Sequence, residues 1–489
     1  MMASLAGGLF MVGFASEVLN ASALQIGILA ALPLSANLAQ LVGSLWLQKF
    51  GQRRKFCLTT VTAGRFLLLP VLALPFCTGF LSMEQIVLAL ILLVGISSFF
   101  AALAGVAWLE WMSDVIPSRV RGTYMARRNM VCAGSGMVAV ILGGFFLDRW
   151  QSTHGGESHY SGYLILFAVG ISLGFVASWI LSRIPDPKAG PAPVGKTSFN
   201  VSSLLRPLQD ANFRTLLIYV GAFMFVTQMA GPFYALFMLD ELGISFSNIS
   251  LFLTGATLAS LFMWRIWGPM CDRLGNKPVL MVAGTAHAVI PLIWVTAVPG
   301  AAFLPLLGAH IASGMFYSAI QLGHVNILVK LSPQGGRSAY IAVFNGMIGL
   351  STALAPIFGG LLLKATDSVR IPLDTFEFGP LHLLFLFSGL LQVIILPLLS
   401  RVAEFKSESS SAVMMQLSND LNPQTGLASA SDFVLVKKSK TDHLLKTVDS
   451  KTDDWAARSE KRIEAALDKL ISLGHKYFGG IIKWIKEDS

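Results

Sequence analysis

Along the first 402 residues, apolar stretches of about 20 residues alternate with short polar breaks. Each stretch has the length of a helix that crosses a bilayer. The pattern predicts helices near 2–19, 23–48, 56–80, 86–112, 130–148 and 162–183, then near 214–239, 249–270, 278–298, 303–329, 340–364 and 381–401. Hydrocarbon leaves no water to satisfy the backbone, so only helices or closed barrels span it, and runs this long are helical. The expected fold class is an all-α polytopic membrane protein with twelve transmembrane helices. A first half, 1–184, is followed by a Pro-rich linker, 185–212, and a second half, 213–402. Beyond it, 403–453 is rich in Ser, Asp and Lys and reads as disordered. In 454–489, Ile463, Leu467, Leu470, Phe478, Ile481 and Ile485 recur at helical spacing. This C-terminal amphipathic helix, with Lys483, Trp484 and Lys486, fits either the inner membrane surface or a docking site on the chain itself.

The breaks also carry orientation. Loops 48–56, 113–129, 183–214, 271–278 and 330–339 hold 17 Lys and Arg, while the opposite loops hold only Arg149, Lys364 and Arg370. By the positive-inside rule this places the linker and both termini in the cytoplasm, as expected of a multi-pass protein of the plasma (inner) membrane. The composition agrees, with 54% hydrophobic and 13% charged residues. Residues 403–489 hold 13 basic and 13 acidic side chains, so the net charge of +9 belongs to 1–402. Topology therefore accounts for the charge, and no nucleic-acid partner is expected. The first run starts almost at Met1, with too few basic residues ahead of it for a signal peptide. Cys57, Cys77, Cys132 and Cys271 are scattered and show no metal spacing. The stretch His154 to His159 is not taken as a metal site, and no cofactor is expected.

The chain repeats itself. At a shift of 216, Pro117, Arg121, Tyr124, Asn129, Gly143 and Gly144 fall on Pro333, Arg337, Tyr340, Asn345, Gly359 and Gly360. At a shift of 223, Leu19, Ser22, Gln25 and Ile26 fall on Leu242, Ser245, Asn248 and Ile249. Between two apolar runs lies Gly268, Asp272, Arg273, Gly275 and Lys277, in the pattern G-x-x-x-D-R-x-G-x-K. A weaker copy carries Gly51 and Arg53, with Gln48 at the acidic position. These features resemble the signature loop and the parallel repeat of the major facilitator superfamily, of bacterial type, here with a C-terminal cytoplasmic extension. The resemblance implies that the Asp272 loop is part of a gate, meeting the start of the fifth helix near Arg121, Arg127 and Arg128 when the inner side closes. It also implies secondary active transport of a small solute by alternating access.

Polar residues inside membrane helices are costly and mark function. His310, Ser313, Tyr317, Gln321 and His324 fall within an arc of about 80° on the tenth helix. The stripe reads as the wall of a cavity or as a set of bonds to neighbouring helices. The resemblance places this helix beside a central cavity with the first, fourth and seventh. Further candidate substrate-binding residues are Tyr219, Thr227 and Tyr234, with Gln228 on the other side of their helix, and Asn37 and Gln40. Ser97, Trp108 and Trp111 share a face of the fourth helix. His310 and His324 are the candidates for proton coupling, because no Asp or Glu falls at mid-membrane. Arg65 lies deep in the third helix, with His287 at the equivalent place of the second half, and reads first as an interhelical partner. No nucleophile–base pair, phosphate loop or metal cluster appears, so the chain is not read as an enzyme. The alternative to transport is a non-transporting membrane receptor or scaffold that signals through the tail.

Overall fold

A computed structural model of the chain describes residues 1–36, 39–40, 52–116, 118–154, 160–184, 206–333, 337–372, 377–404 and 408–421. Among these, ten helices are long and apolar enough to cross a membrane, and two shorter apolar helices join them. The first half holds α1 (Met2–Val18), α2 (Ala23–Ser35), α3 (Arg53–Gly79), α4 (Met83–Val115), α5 (Ser118–Thr153) and α6 (Tyr160–Ser182). The second holds α7 (Ala211–Glu241), α8 (Phe246–Leu274), α9 (Asn276–Val295), α10 (Phe303–Leu331), α11 (Arg337–Ala365) and α12 (Pro380–Ser400). The chain is an all-α polytopic membrane protein, and among the described residues its one strand pairing is the antiparallel Ile371–Pro372 with Glu377–Phe378, between α11 and α12. Large apolar side chains such as Leu142, Trp179, Phe262 and Ile394 face outward, as lipid contact requires.

Local chemistry sets the helix ends. Ser22 Oγ accepts from the Gln25 amide at 3.3 Å while Gln25 Oε1 accepts from the Ser22 amide at 2.8 Å, and Ser82 and Gln85 repeat this capping box. Helix α5 starts at Ser118 rather than near 130, because hydropathy reports only the stretch in hydrocarbon and the helix continues beyond it.

The internal repeat governs packing. Within the first half α1–α5, α1–α6, α2–α4, α3–α4 and α3–α6 pack together, and every pair recurs six helices later. The matched residues do matched jobs: Ser22 and Ser245 each cap the next helix, and Leu19, Ile26, Leu242 and Ile249 are all buried. The last turn of α1 and that of α7 both widen to π geometry.

Arg53, Lys277 and Lys330 mark one end of the bundle, here the basic end, and Ser22, Asp148 and Ser245 mark the far end. At the far end α2 packs on α11 and α5 on α8, across the halves. Ser16 Oγ donates to Asp240 at 2.8 Å. The Asp148 carboxylate of α5 accepts from the Phe246 and Ser247 amides, each at 2.8 Å, and so caps α8 from the opposite half. Glycines allow the approach. A methyl added at Gly144 would come within 2.7 Å of the Phe246 carbonyl oxygen, and one at Gly360 within 2.8 Å of Leu24 Cα.

The second half does not end at 402. Glu404, placed by the sequence in a disordered segment, has a side chain only 1% exposed. It accepts from the Asn276 and Lys277 amides at the start of α9, from Asn276 Nδ2, and from Lys330 Nζ at 2.8 Å. A carboxylate at a helix N-terminus beside a lysine is a favoured arrangement, and a polar residue outside the apolar run gives hydropathy no sign of it. A further helix, α13 (Ser410–Leu421), also falls within 403–453. Residues 185–205 of the linker 185–212 and the amphipathic segment 454–489 lie outside the described residues, while Arg206–Gln209 form a 3-10 turn and the seventh helix already begins at Ala211.

Candidate functional site

The halves, joined at the far end, enclose a cavity of about 920 Å³ that Met2 and Ala3, at the start of α1, help to line. Helices α1–α4 of one half and α7, α8, α10 and α11 of the other line it. Pro33, Pro232 and Pro356 lie inside α2, α7 and α11 along this wall, and each removes one backbone donor from its helix. The wall is mostly apolar, and its polar side chains are Gln40, Ser97, Ser98, Gln228, Tyr234, His310 and Ser313. Among the described residues that line it, none is Asp, Glu, Lys or Arg.

A side pocket of about 200 Å³ shares Gln228, Tyr234, His310 and Ser313 with the main cavity and runs back into the second half. Thr227 lines it from α7, His287 and Trp294 from α9, Tyr317 from α10 and Gln392 from α12. Its back wall is a hydrogen-bond chain. His287 Nδ1 meets Gln392 Oε1 at 2.8 Å, Gln392 Nε2 donates to Ser388 Oγ at 3.3 Å, and Ser388 Oγ donates to the Val226 carbonyl at 3.0 Å. His310 Nδ1 lies 2.8 Å from the Leu306 carbonyl. Tyr234 stacks on Phe385 with ring centroids 4.7 Å apart.

The polar stripe of α10 therefore divides. His310 and Ser313 line both spaces, and Tyr317 lines the side pocket with its hydroxyl 3.9 Å from Met224 Sδ. Gln321 is exposed. His324 lies away from both spaces, buried between Tyr219 and Phe223, with neither ring nitrogen hydrogen-bonded. An arc of 80° spans more than one neighbour, and the lower part of α10 is covered by α7. Tyr219, fully buried, is likewise outside the cavity lining, whereas Thr227, Tyr234 and Gln40 belong to it. Asn37 lies outside the described residues.

Of the loop residues, Asp272 and Arg273 are exposed, and Gly275 takes a φ of 100°, a conformation that favours glycine. Gly268 has open space beside it. Lys277 Nζ turns to the Ser400 and Val402 carbonyls, at 2.6 and 2.9 Å. In the first copy Arg53 pairs with Glu110 of α4 at 3.2 Å. Gly51 and the side chains of Arg121 and Arg127 are outside the described residues, and Arg128 lies over Trp108. Arg65 donates to Ser178 Oγ of α6, as His287 bonds α12: the same site in each half is an interhelical bond.

The sequence matches the profile of the Major Facilitator Superfamily over residues 1–229 and again over 216–440. The chain belongs to the major facilitator superfamily. No curated relative matches the sequence. Among solved structures, a mutant of the nucleoside transporter NupG superposes with a TM-score of 0.64 at 12% identity, over 82% of this chain and 96% of its own. The inward-open xylose transporter XylE from E. coli gives 0.58 at 15%, over 84% and 98%. A D-xylose-proton symporter gives 0.59 at 14%, over 82% and 97%. At these identities the likeness is one of fold. As a superfamily member the chain is a secondary transporter in the membrane, not an enzyme.

The sequence reading missed Gln392, Ser388, Asp148 and Asp240. An intramembrane amide in the α12 run Leu383 to Leu396 is itself a signal. Asp148 and Asp240 sit near helix ends, where charge passes for loop chemistry.

Proposed function

We propose that this superfamily member moves a neutral, largely apolar solute by alternating access, and that the described state is open at the basic end. The observation that carries the reading is the cavity of about 920 Å³ between halves that are hydrogen-bonded to each other at the far end. Seven polar side chains on an apolar wall, with no fixed charge among the described lining residues, suit a solute with an apolar body and a few hydrogen-bonding groups. A formally charged solute would leave its ion unpaired there, which is expensive in low dielectric. The bias of basic loops supports a cytoplasmic basic end, and hence an inward-open state of a plasma-membrane protein.

His310 is the group this reading assigns to proton coupling. It lines the side pocket together with Tyr234, Tyr317 and His287, with no carboxylate or cation among the described lining residues. Uptake that keeps its full pH dependence in His310→Gln would remove that role. Closure of the basic end is assigned to the loop of Gly268, Asp272, Arg273 and Gly275 against the start of α5, with Arg53 and Gly51 in the weaker copy.

A thermal-stability screen of the purified protein against neutral amphipathic solutes tests the cavity, since a ligand stabilises the state it binds. Solutes that raise the melting temperature of the wild type are expected to lose that effect in Ala101→Trp, which fills the cavity wall. Equal stabilisation of both proteins would contradict the reading.

A further inference from the structure

The side pocket has a chemical polarity of its own, fixed by a chain of bonds that ends on a backbone carbonyl. A carbonyl oxygen only accepts, so the Ser388 hydroxyl proton points at Val226 and its oxygen accepts from the Gln392 amide nitrogen. This turns Gln392 Oε1 to His287, and Nδ1 of that ring must carry the proton. The other nitrogen of the neutral ring, Nε2, is left as an acceptor. His310 obeys the same rule, because its Nδ1 is held by the Leu306 carbonyl. Two imidazoles on two helices therefore offer acceptors.

Backbone chemistry adds to this. Pro232 and Pro291 lack the amide hydrogen that would bond the carbonyl four residues earlier. Those carbonyls belong to Gln228 and His287, both lining residues. Thr227 Oγ1 is shut from bulk solvent and has no hydrogen-bond partner, although its residue lines the same space. A buried polar group left unpaired costs free energy, and a bound ligand would relieve it. The rings of Tyr234 and Trp294, 4.4 Å apart between centroids, supply an apolar wall.

We propose that the side pocket is a head-group subsite: it takes an uncharged group with at least two O–H or N–H donors, while the apolar body of the same solute fills the main cavity. A carboxylate or phosphate would face two imidazole acceptors, with no cation among the described lining residues to offset its charge. An ammonium would meet no carboxylate. At about 200 Å³ the pocket has room for a small ring and not for the whole solute. The subsite lies off the shared cavity and is built by one half alone, between α7, α9, α10 and α12. It rests on the reading of the main cavity as the solute site.

The test uses the full chain in lipid nanodiscs and three naphthyl probes that differ only in the head: a glucoside, a carboxylate and a trimethylammonium. Binding is read by fluorescence polarisation of the naphthyl group. Wild type is expected to bind the glucoside about tenfold or more above the other two, the gain of one or two net hydrogen bonds. In Thr227→Val and in His287→Phe the three affinities are expected to converge, through loss on the glucoside alone. Thr227→Val is also expected to hold or raise the melting temperature, since it removes an unpartnered hydroxyl, and it carries the test if His287→Phe does not fold. Wild type that binds all three heads equally, or Thr227→Val that keeps the preference, would overturn the subsite. Binding of every probe unchanged in Ala101→Trp would overturn the cavity reading instead, and no binding of any probe would overturn both.

Discussion

Glu404 shows how one side chain ties three helices. It joins the start of α9 to the end of α10, and Lys277 beside it holds the end of α12. Burial alone would raise its carboxyl, and the bonds from Lys330, Lys277 and Asn276 outweigh that and hold it below the ordinary value of 4.5. A carboxylate depressed in the folded state adds stability that is present above its ordinary value and lost as pH falls through the depressed one. Glu404→Gln is therefore expected to cost about 2 kcal/mol at neutral pH. In thermal melts across a pH series, the gap to wild type should close on acidification below the ordinary value. A gap that stays constant down to the acid limit would show that charge plays no part. Individual residues were legible where the membrane makes them conspicuous: His310, Ser313, Thr227 and Tyr234 stand out as polar atoms in apolar runs. Glu404 and Asp148 sit among other polar residues, and only their partners, far away in sequence, reveal them.

The element that closes the far end is the pair of twin glycines. Gly143 and Gly359 meet α1 and α7 of their own halves, while Gly144 and Gly360 meet α8 and α2 of the other. The repeat was legible as four letters in register, but letters do not tell which neighbour a glycine touches. The same limit divides α10: periodicity puts five polar residues on one side, and only the packing of α7 over its lower part separates His324 from the cavity. Gly144→Leu, which would force a side chain into the Phe246 backbone, is expected to splay the far end while the fold persists. Spin labels on α5 and α8 at that end should show a longer distance in the variant. A distance distribution identical to wild type would mean that the close approach is incidental to closure.

At the scale of the molecule, the hydropathy pattern was enough for twelve helices in two halves, because spanning length and helical backbone leave few options in hydrocarbon. It could not place the end of the second half, since Glu404 belongs to it through hydrogen bonds rather than apolar length. Truncation after 421 is expected to leave a monodisperse protein in detergent, and truncation after 402 to lower the melting temperature by removing Glu404. Equal melting temperatures for the two truncations would place Glu404 outside the fold's support. The central claim, that the cavity is reached from each face in turn, is tested most directly by thiol accessibility. Ser313→Cys lies on the cavity wall and is introduced into a background with all four native cysteines replaced. A membrane-impermeant maleimide is then applied to vesicles of either orientation, before and after Ser16→Cys is joined to Asp240→Cys by oxidation. The account predicts fast labelling from the basic face, slower labelling from the far face, and loss of the far-face reaction alone once the pair is joined. Labelling from the basic face only, in the joined and the unjoined protein alike, would contradict it.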